Sequence, residues 1–376
     1  MAEKKTYHIL SLDGGGIRGL TSAILLESLE KKLQEHEQKP EARLRDYFDL
    51  IAGTSAGSII ACGIARGISA TQIKNLFLKR GKDIFPEKWW NQGWFQSAIK
   101  NLWKRITTGF TQPMYDGMGL ERVLKDVFGE EFLFEALSKP TLITSYDTYN
   151  RQAIVFKNTD RLIGKIPVWE ICRSSAAAPV AFPAYGMKNL NFIDYYKTKN
   201  WEIPSEGSIP LIDGGVIAND PVLCAIAERL HWNVESPDNK EKWIPPEYEW
   251  VDIKEIVVAS FGCGQPIEGK IGIKQARGWG IEWASPLRDV PIVDILFDGS
   301  TKTSNYIAQQ VLWKGKYFRF QPILDEQSSI SPFDANTAKL RALQQKVESF
   351  CQAQAVQSRI TQLVNSLTSK PSKPSV

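Results

Sequence analysis

Phe48-Asp49-Leu50-Ile51-Ala52-Gly53-Thr54-Ser55-Ala56-Gly57-Ser58-Ile59-Ile60 is the stretch that decides the fold. Phe48 to Ala52 is a short apolar run and reads as a buried strand. From Ala56 to about Ala65 the chain reads as a helix. Gly53-Thr54-Ser55-Ala56-Gly57 joins the two in the pattern G-x-S-x-G. That pattern needs glycines at Gly53 and Gly57, because a serine on a sharp strand-to-helix turn leaves no room for flanking side chains. The turn presents the Ser55 hydroxyl at a helix N-terminus, where backbone N–H groups favour developing negative charge. On its own the pattern has little specificity, and its setting between strand and helix gives it weight.

The same arrangement occurs upstream. Tyr7 to Leu12 reads as a strand, Asp13-Gly14-Gly15-Gly16-Ile17-Arg18-Gly19 as a glycine loop, and Leu20, Ile24, Leu25, Leu29 and Leu33 as one face of a helix. Two strand–turn–helix units in succession predict an α/β layered fold with a largely parallel sheet. Further strands are expected at Thr141–Tyr146, Ala153–Phe156, Ile209–Ile212 and Ile256–Phe261, and helices near Leu120–Val127, Val222–Leu230 and Ser304–Leu312. A polar insertion spans roughly residues 233–249. The catalytic unit is expected to cover residues 1–325, with an aromatic-rich insertion near 83–113. A helical extension follows over 326–376, reading as one long Gln-rich helix from Ala335 to about Leu367 and a tail disordered by composition.

Three glycines in a row leave backbone N–H groups able to converge on one anion, which suits an oxyanion hole. Gly14-x-Gly16-x-x-Gly19 also fits the dinucleotide fingerprint. That reading wants an acid ending the second strand, and Gly53-Thr54-Ser55 stands there instead. A third motif, Asp213-Gly214-Gly215, ends the strand at Ile209–Ile212 and places a carboxylate where open α/β sheets gather their sites. As a lone feature Asp213 reads as a turn residue; beside the serine turn it becomes a candidate base. The histidines are His8, His36 and His231. His8 lies within the first strand, and His36 ends a charged helix. His231 closes a helix that begins beside Asp213, which at about 1.5 Å per residue puts it well over ~10 Å from the site. A Ser55–Asp213 dyad is therefore preferred to a triad.

Charged residues make up 23% of the chain and the net charge is +4, too mild and too dispersed to imply nucleic acid. Cys62, Cys172, Cys224, Cys263 and Cys351 show no C-x-x-C spacing, so no disulfide framework or zinc site is expected and a reducing compartment fits. The N-terminus carries no signal-peptide pattern, and no apolar run reaches the length of a membrane span. The expected location is cytoplasmic, with any membrane contact peripheral.

Together the three motifs resemble the patatin-like phospholipases, or lipid acyl hydrolases, as does the segment from Arg173-Ser174-Ser175-Ala176-Ala177-Ala178-Pro179 to Phe182-Pro183. The resemblance runs from about Tyr7 to Phe320. It implies a three-layer α/β/α patatin-like fold, a catalytic dyad of Ser55 and Asp213, and an oxyanion hole from Gly14, Gly15 and Gly16 with Arg18 supporting the loop. It also implies a membrane or micellar glycerolipid as substrate, and no metal or organic cofactor. Acyl transfer or thioester hydrolysis at the same serine, activation by a cyclic nucleotide, and a silent lipid-binding protein are the rival readings. The sequence assigns no oligomeric state. Trp89, Trp90, Trp94 and Trp103 sit among basic residues in a stretch that reads as an interfacial helix, against the alternatives of a core helix or a subunit contact.

Overall fold

The computed structural model describes residues 6–86, 113–232, 250–267, 271–278, 280, 283 and 291–369. Along the chain come β1 (Tyr7–Leu12), α1 (Gly19–Glu37), β2 (Leu50–Thr54), α2 (Ala56–Arg66), α3 (Ala70–Ile84) and α4 (Met118–Phe128). Then follow β3 (Thr141–Asp147), β4 (Gln152–Lys157), α5 (Val168–Ser175), β5 (Tyr185–Met187), α6 (Leu190–Thr198), β6 (Ile209–Asp213), α7 (Gly215–Ala218) and α8 (Val222–His231). The last described part holds β7 (Ile256–Phe261), β8 (Gln265–Pro266), α9 (Ile273–Gly278), α10 (Pro291–Val311), β9 (Tyr317–Phe320), β10 (Ile323–Leu324), α11 (Thr337–Gln352) and α12 (Gln354–Thr368).

The main sheet runs β5-β6-β3-β2-β1-β7-β9, with β4 on the other edge of β3. β3, β2, β1, β7 and β9 are mutually parallel, whereas β4 and β6 oppose β3. Strand periodicity divides the central residues between two cores. Leu10, Leu12, Ile51, Val257 and Ala259 face the layer built on α1 to α5, while Tyr7, Ile9, Leu50, Ala52 and Val258 face the layer of α8 and α10. Strands buried on both faces are what a parallel centre between helix layers requires. The chain is thus a three-layer α/β/α protein with a mostly parallel sheet.

The C-terminal region departs from the single long helix expected there. Ala353 adopts an extended backbone and separates α11 from α12. The break lets Leu340, Leu343 and Val347 of one helix, and Ile360, Leu363 and Val364 of the other, join the core that holds Leu20, Leu26 and Leu33 of α1. His8 is a buried strand residue, as its position suggested, and its Nε2 lies 3.1 Å from the Ser366 carbonyl. The helix expected at Ser304–Leu312 begins earlier, at Pro291. The polar insertion at 233–249 and the end of the tail lie outside the described residues, as do Trp89, Trp90, Trp94 and Trp103. Among the described residues no helix is long and apolar enough to cross a membrane.

Candidate active site

One edge of β3 is shared by two strands. Ile51 to Thr54 of β2 pair with Thr141 to Thr144, and Leu211 to Asp213 of β6 pair with Asp147 to Ser145. β2 runs with β3 and β6 runs against it, so the two strands converge end to end. Their last residues, Thr54 and Asp213, sit opposite Thr144 and Ser145, which are neighbours in the chain. Ser55 and Asp213, 158 positions apart in the sequence, are thereby brought together by backbone register. The Thr54 hydroxyl strengthens the junction, donating to the Ala218 carbonyl at 2.7 Å and sharing a 2.6 Å hydrogen bond with Thr144.

Ser55 stands at φ 53° and ψ −122°, a left-handed conformation that a side-chain-bearing residue adopts only when its surroundings enforce it. The enforcement is close packing. A Cβ on Gly57 would lie 2.3 Å from the Leu12 carbonyl oxygen, so α2 can begin against the end of β1 only with glycine there. The Ser55 N–H donates to the Ser175 hydroxyl at 2.9 Å. Asp213 is fully buried. Its Oδ1 accepts the Gly215 N–H at 2.7 Å, while its Oδ2 has no hydrogen-bond partner among the described residues. Burial pushes this carboxyl up to about 7, against the pull of the Ser55 hydroxyl beside it and of the Gly215 N–H.

The glycine loop lies against both motifs. Gly14 departs from the expected trio of donors: its N–H is committed to the Asn219 carbonyl at 3.0 Å. The N–H groups of Gly15 and Gly16 have no partner among the described residues. Gly16 takes a positive φ of 55°, and a Cβ there would strike the Pro332 carbonyl. Arg18 is mostly buried, its Nε has no hydrogen-bond partner among the described residues, and its guanidinium reaches Asp294 at 4.0 Å.

Beneath the loop is a buried ionic cluster that sequence reasoning missed. Arg319 on β9 grips both oxygens of Asp13, at 2.6 and 2.5 Å, and reaches Asp220 at 3.3 Å and the Ser260 hydroxyl at 2.7 Å. Asp13 precedes Gly14 and Asp220 follows Asn219, so Arg319 clamps both sides of the Gly14–Asn219 hydrogen bond. Burial raises the Asp13 carboxyl to about 7 against the attraction of Arg319, with the Asp220 charge adding to the rise. Asp13 lay inside the glycine-loop motif already singled out, and Asp220 lies seven residues after Asp213. Arg319, in Tyr317-Phe318-Arg319-Phe320, offered only the signal of one charge in an aromatic strand.

Ser55 opens on a pocket whose walls include Ile17, Ile59, Phe77, Phe85, Phe182 and Phe333. Among the described residues lining it, Ser55 carries the one polar side chain. Phe333 comes from beyond the catalytic unit as drawn from sequence. It is held there by the Tyr115 hydroxyl, which donates to its carbonyl at 2.7 Å, and by the Ile17 N–H, which donates to Pro332 at 2.8 Å. His231 is exposed at the far end of α8, ten residues long and starting beyond Asp220, so the structure keeps it away from Ser55. His36, also exposed, lies near Thr368.

A model of the patatin-like phospholipase family matches residues 10–226, more than half of the chain. The chain belongs to that family. Patatin-like protein 2 of Oryza sativa subsp. indica is 30% identical over 307 residues, covering 79% of this chain and 70% of its own length. Patatin-like protein 2 of Arabidopsis thaliana is 31% identical over 305 residues, 78% of this chain and 69% of the relative. Another relative, from Solanum tuberosum, is named probable inactive patatin-3-Kuras 1 and is 31% identical, covering 74% of this chain and 69% of its own length. Among solved structures, human group IVD cytosolic phospholipase A2 in complex with methyl gamma-linolenyl fluorophosphonate aligns with 97% of this chain and 60% of its own, at 10% identity and a TM-score of 0.39. VipD from Legionella pneumophila aligns with 92% of this chain and 67% of its own, at 14% identity and a TM-score of 0.34. Both structural likenesses are too loose to add to what the family match establishes.

Proposed function

We propose that this patatin-like phospholipase is an active serine acyl hydrolase of glycerolipids, working through an acyl-Ser55 intermediate with Asp213 as its base. The observation that carries the reading is the junction of opposites at Ser55. Its hydroxyl faces an otherwise apolar pocket, and next to it lies a buried carboxylate with one oxygen unpartnered among the described residues. An ordinary aspartate, ionising near ~3.9, is too weak a base for a hydroxyl. One raised to about 7 is matched to neutral pH.

In the first step Ser55 Oγ attacks the ester carbonyl and its proton passes to Asp213 Oδ2. The N–H groups of Gly15 and Gly16 donate to the oxyanion, with Arg18 buttressing their loop. Collapse expels the lysolipid alkoxide, which takes the proton from Asp213 and leaves the acyl chain on Ser55. Water then gives its proton to Asp213 and attacks the acyl-enzyme. The tetrahedral species breaks down to free fatty acid as Ser55 recovers its proton. The burial of Ser55, at 5% exposure, limits competing water.

The test is fatty-acid release from phosphatidylcholine vesicles, together with labelling by a fluorophosphonate. The unaltered chain is expected to do both, Ser55→Ala neither. A chain that labels but releases no fatty acid unless given an alcohol acceptor would be a transferase. No labelling at Ser55 would make it the silent protein that the Solanum tuberosum relative's name describes for that relative.

A further inference from the structure

Asn219 is only 7% exposed, and both ends of its peptide unit are committed. Its N–H donates to the Ser300 hydroxyl at 3.0 Å, and its carbonyl accepts the Gly14 N–H at 3.0 Å. Its side chain is held at one end alone. Nδ2 lies 2.9 Å from the Thr301 hydroxyl, while Oδ1 is buried with no hydrogen-bond partner among the described residues. That unpaired end lies over two glycines. A Cβ on Gly14 would collide with Asn219 Oδ1 and stand 3.1 Å from Ser55 Cβ. A Cβ on Gly215 would stand 3.0 Å from the same oxygen. The space over Gly14 is therefore shared by the head of Asn219 and the side chain of Ser55. The glycine loop and the D-G-G turn are both bare where this amide sits.

A buried amide oxygen left unpaired beside a serine is an incomplete arrangement. A side-chain amide donates at one end and accepts at the other, whereas a hydroxyl does both. Thr301 can thus hold Asn219 either way round, accepting from Nδ2 or donating to Oδ1. Ser55 favours one of the two. It has a single proton, and Asp213 Oδ2 is already an acceptor without another partner among the described residues. An amide oxygen facing Ser55 would compete for that proton. An NH2 facing it would instead fix the oxygen lone pair and leave the proton to Asp213. We propose that Asn219 is a further catalytic residue, its side-chain NH2 donating to Ser55 Oγ. It directs the hydroxyl toward Asp213 and stabilises the charge that gathers on Oγ as the proton leaves. The proton that moves is the serine's, and the amide keeps both of its own. Ser300 and Thr301 of α10 set the orientation of Asn219. The proposal rests on the acyl-hydrolase reading of Ser55.

The experiment measures the rate of fluorophosphonate labelling at Ser55, and kcat and KM for p-nitrophenyl butyrate across pH, in the unaltered chain, Asn219→Ala and Thr301→Val. Each is checked for folding by its thermal melt. Asn219→Ala retains the backbone bonds to Gly14 and Ser300, so the loss it reports belongs to the amide. It is expected to lower the labelling rate and kcat about a hundredfold, the scale for one donor aimed at developing charge, with KM little changed. The midpoint of its acid limb is expected to stay where it is in the unaltered chain. Thr301→Val removes the group that orients the amide and is expected to cost about tenfold in the same two rates. It keeps the test open if Asn219→Ala does not fold. Unaltered rates in a folded variant overturn the role of Asn219 alone. So does a displaced midpoint with full activity above it, which would make Asn219 part of the surroundings of Asp213 only. Failure of the unaltered chain both to label and to hydrolyse the ester overturns the underlying reading of Ser55.

Discussion

Asp13 and Asp213 make an instructive pair. Each is fully buried, each stands at the end of a strand before a glycine turn, and each is lifted to about 7. Their neighbours separate them. Asp13 is gripped at both oxygens by Arg319, and Asp220 shares the same guanidinium. Asp213 has a backbone N–H on one oxygen and a serine hydroxyl beside it. A carboxylate held by a guanidinium is an anchor, since taking up a proton would break the ion pair. One buried with no cation gains by taking a proton, which is what a base must do. Burial is common to both, so it is the absence of a positive partner that fits Asp213 for proton transfer.

The comparison is broken most directly at Asp213. Asp213→Asn is expected to lower kcat about a thousandfold, within the range for loss of a general base, measured as ester hydrolysis by the folded variant. The same change is expected to make the chain more stable at pH 8. The folded state holds the Asp213 proton more tightly than the unfolded state does, so raising the pH from 3.8 to about 7 strips the unfolded chain first and erodes stability. Above that window the penalty is constant, and asparagine does not carry it. Melting curves at pH 8 and pH 4 should therefore show a gain that vanishes in acid.

At the other carboxylate the effect on stability has the opposite sign. Arg319→Met strands Asp13 and Asp220 together without a cation, and is expected to cost about 3–5 kcal/mol in urea unfolding. Arg319→Lys should recover only part of this, because an ammonium cannot form the two-pronged contact. Wild-type stability in Arg319→Met would dissolve the distinction between anchor and base.

How much of this was legible beforehand depended on whether local pattern or distant packing was responsible. The β1 and β2 units could be read because strand periodicity, glycine turns and a helix face are all written within a few residues. Ser55, Asp213 and the glycine loop stand out as candidates for the same reason, and backbone register brings Ser55 and Asp213 together. Arg319 could not, because its partners lie 306 and 99 positions away and its own neighbours are unexceptional. Phe333 was assigned to an extension because the family's pattern ends before it, yet the fold returns it to the pocket. The break at Ala353 carries no Gly or Pro and is decided by the surface of α1 on which both helices lie.

The pH profile sharpens the comparison at a smaller scale. With Asp213 as the base, kcat/KM should fall about tenfold per pH unit below a midpoint near 7. That limb should survive in Asp13→Asn. Its disappearance there would assign the titration to the wrong carboxylate. Smallest of all is Ser175→Ala. It removes the acceptor of the Ser55 N–H and is expected to cost about 1 kcal/mol of stability with a modest fall in kcat, read from parallel melts and rates.

The meeting of β2 and β6 on β3 has a consequence for how such a chain can be rebuilt. β3 works as a splice plate: it holds two cut ends in line at Thr144 and Ser145 whatever route the polypeptide takes between them. The connections from α2 to β3 and from β4 to β6 can lengthen, shorten or be reopened at new termini without altering the gap between serine and aspartate. What cannot change is the count of residues from each strand's pairing to its tip. A deletion of one residue from β2 or β6 would turn the side chain at its tip to the opposite face of the sheet.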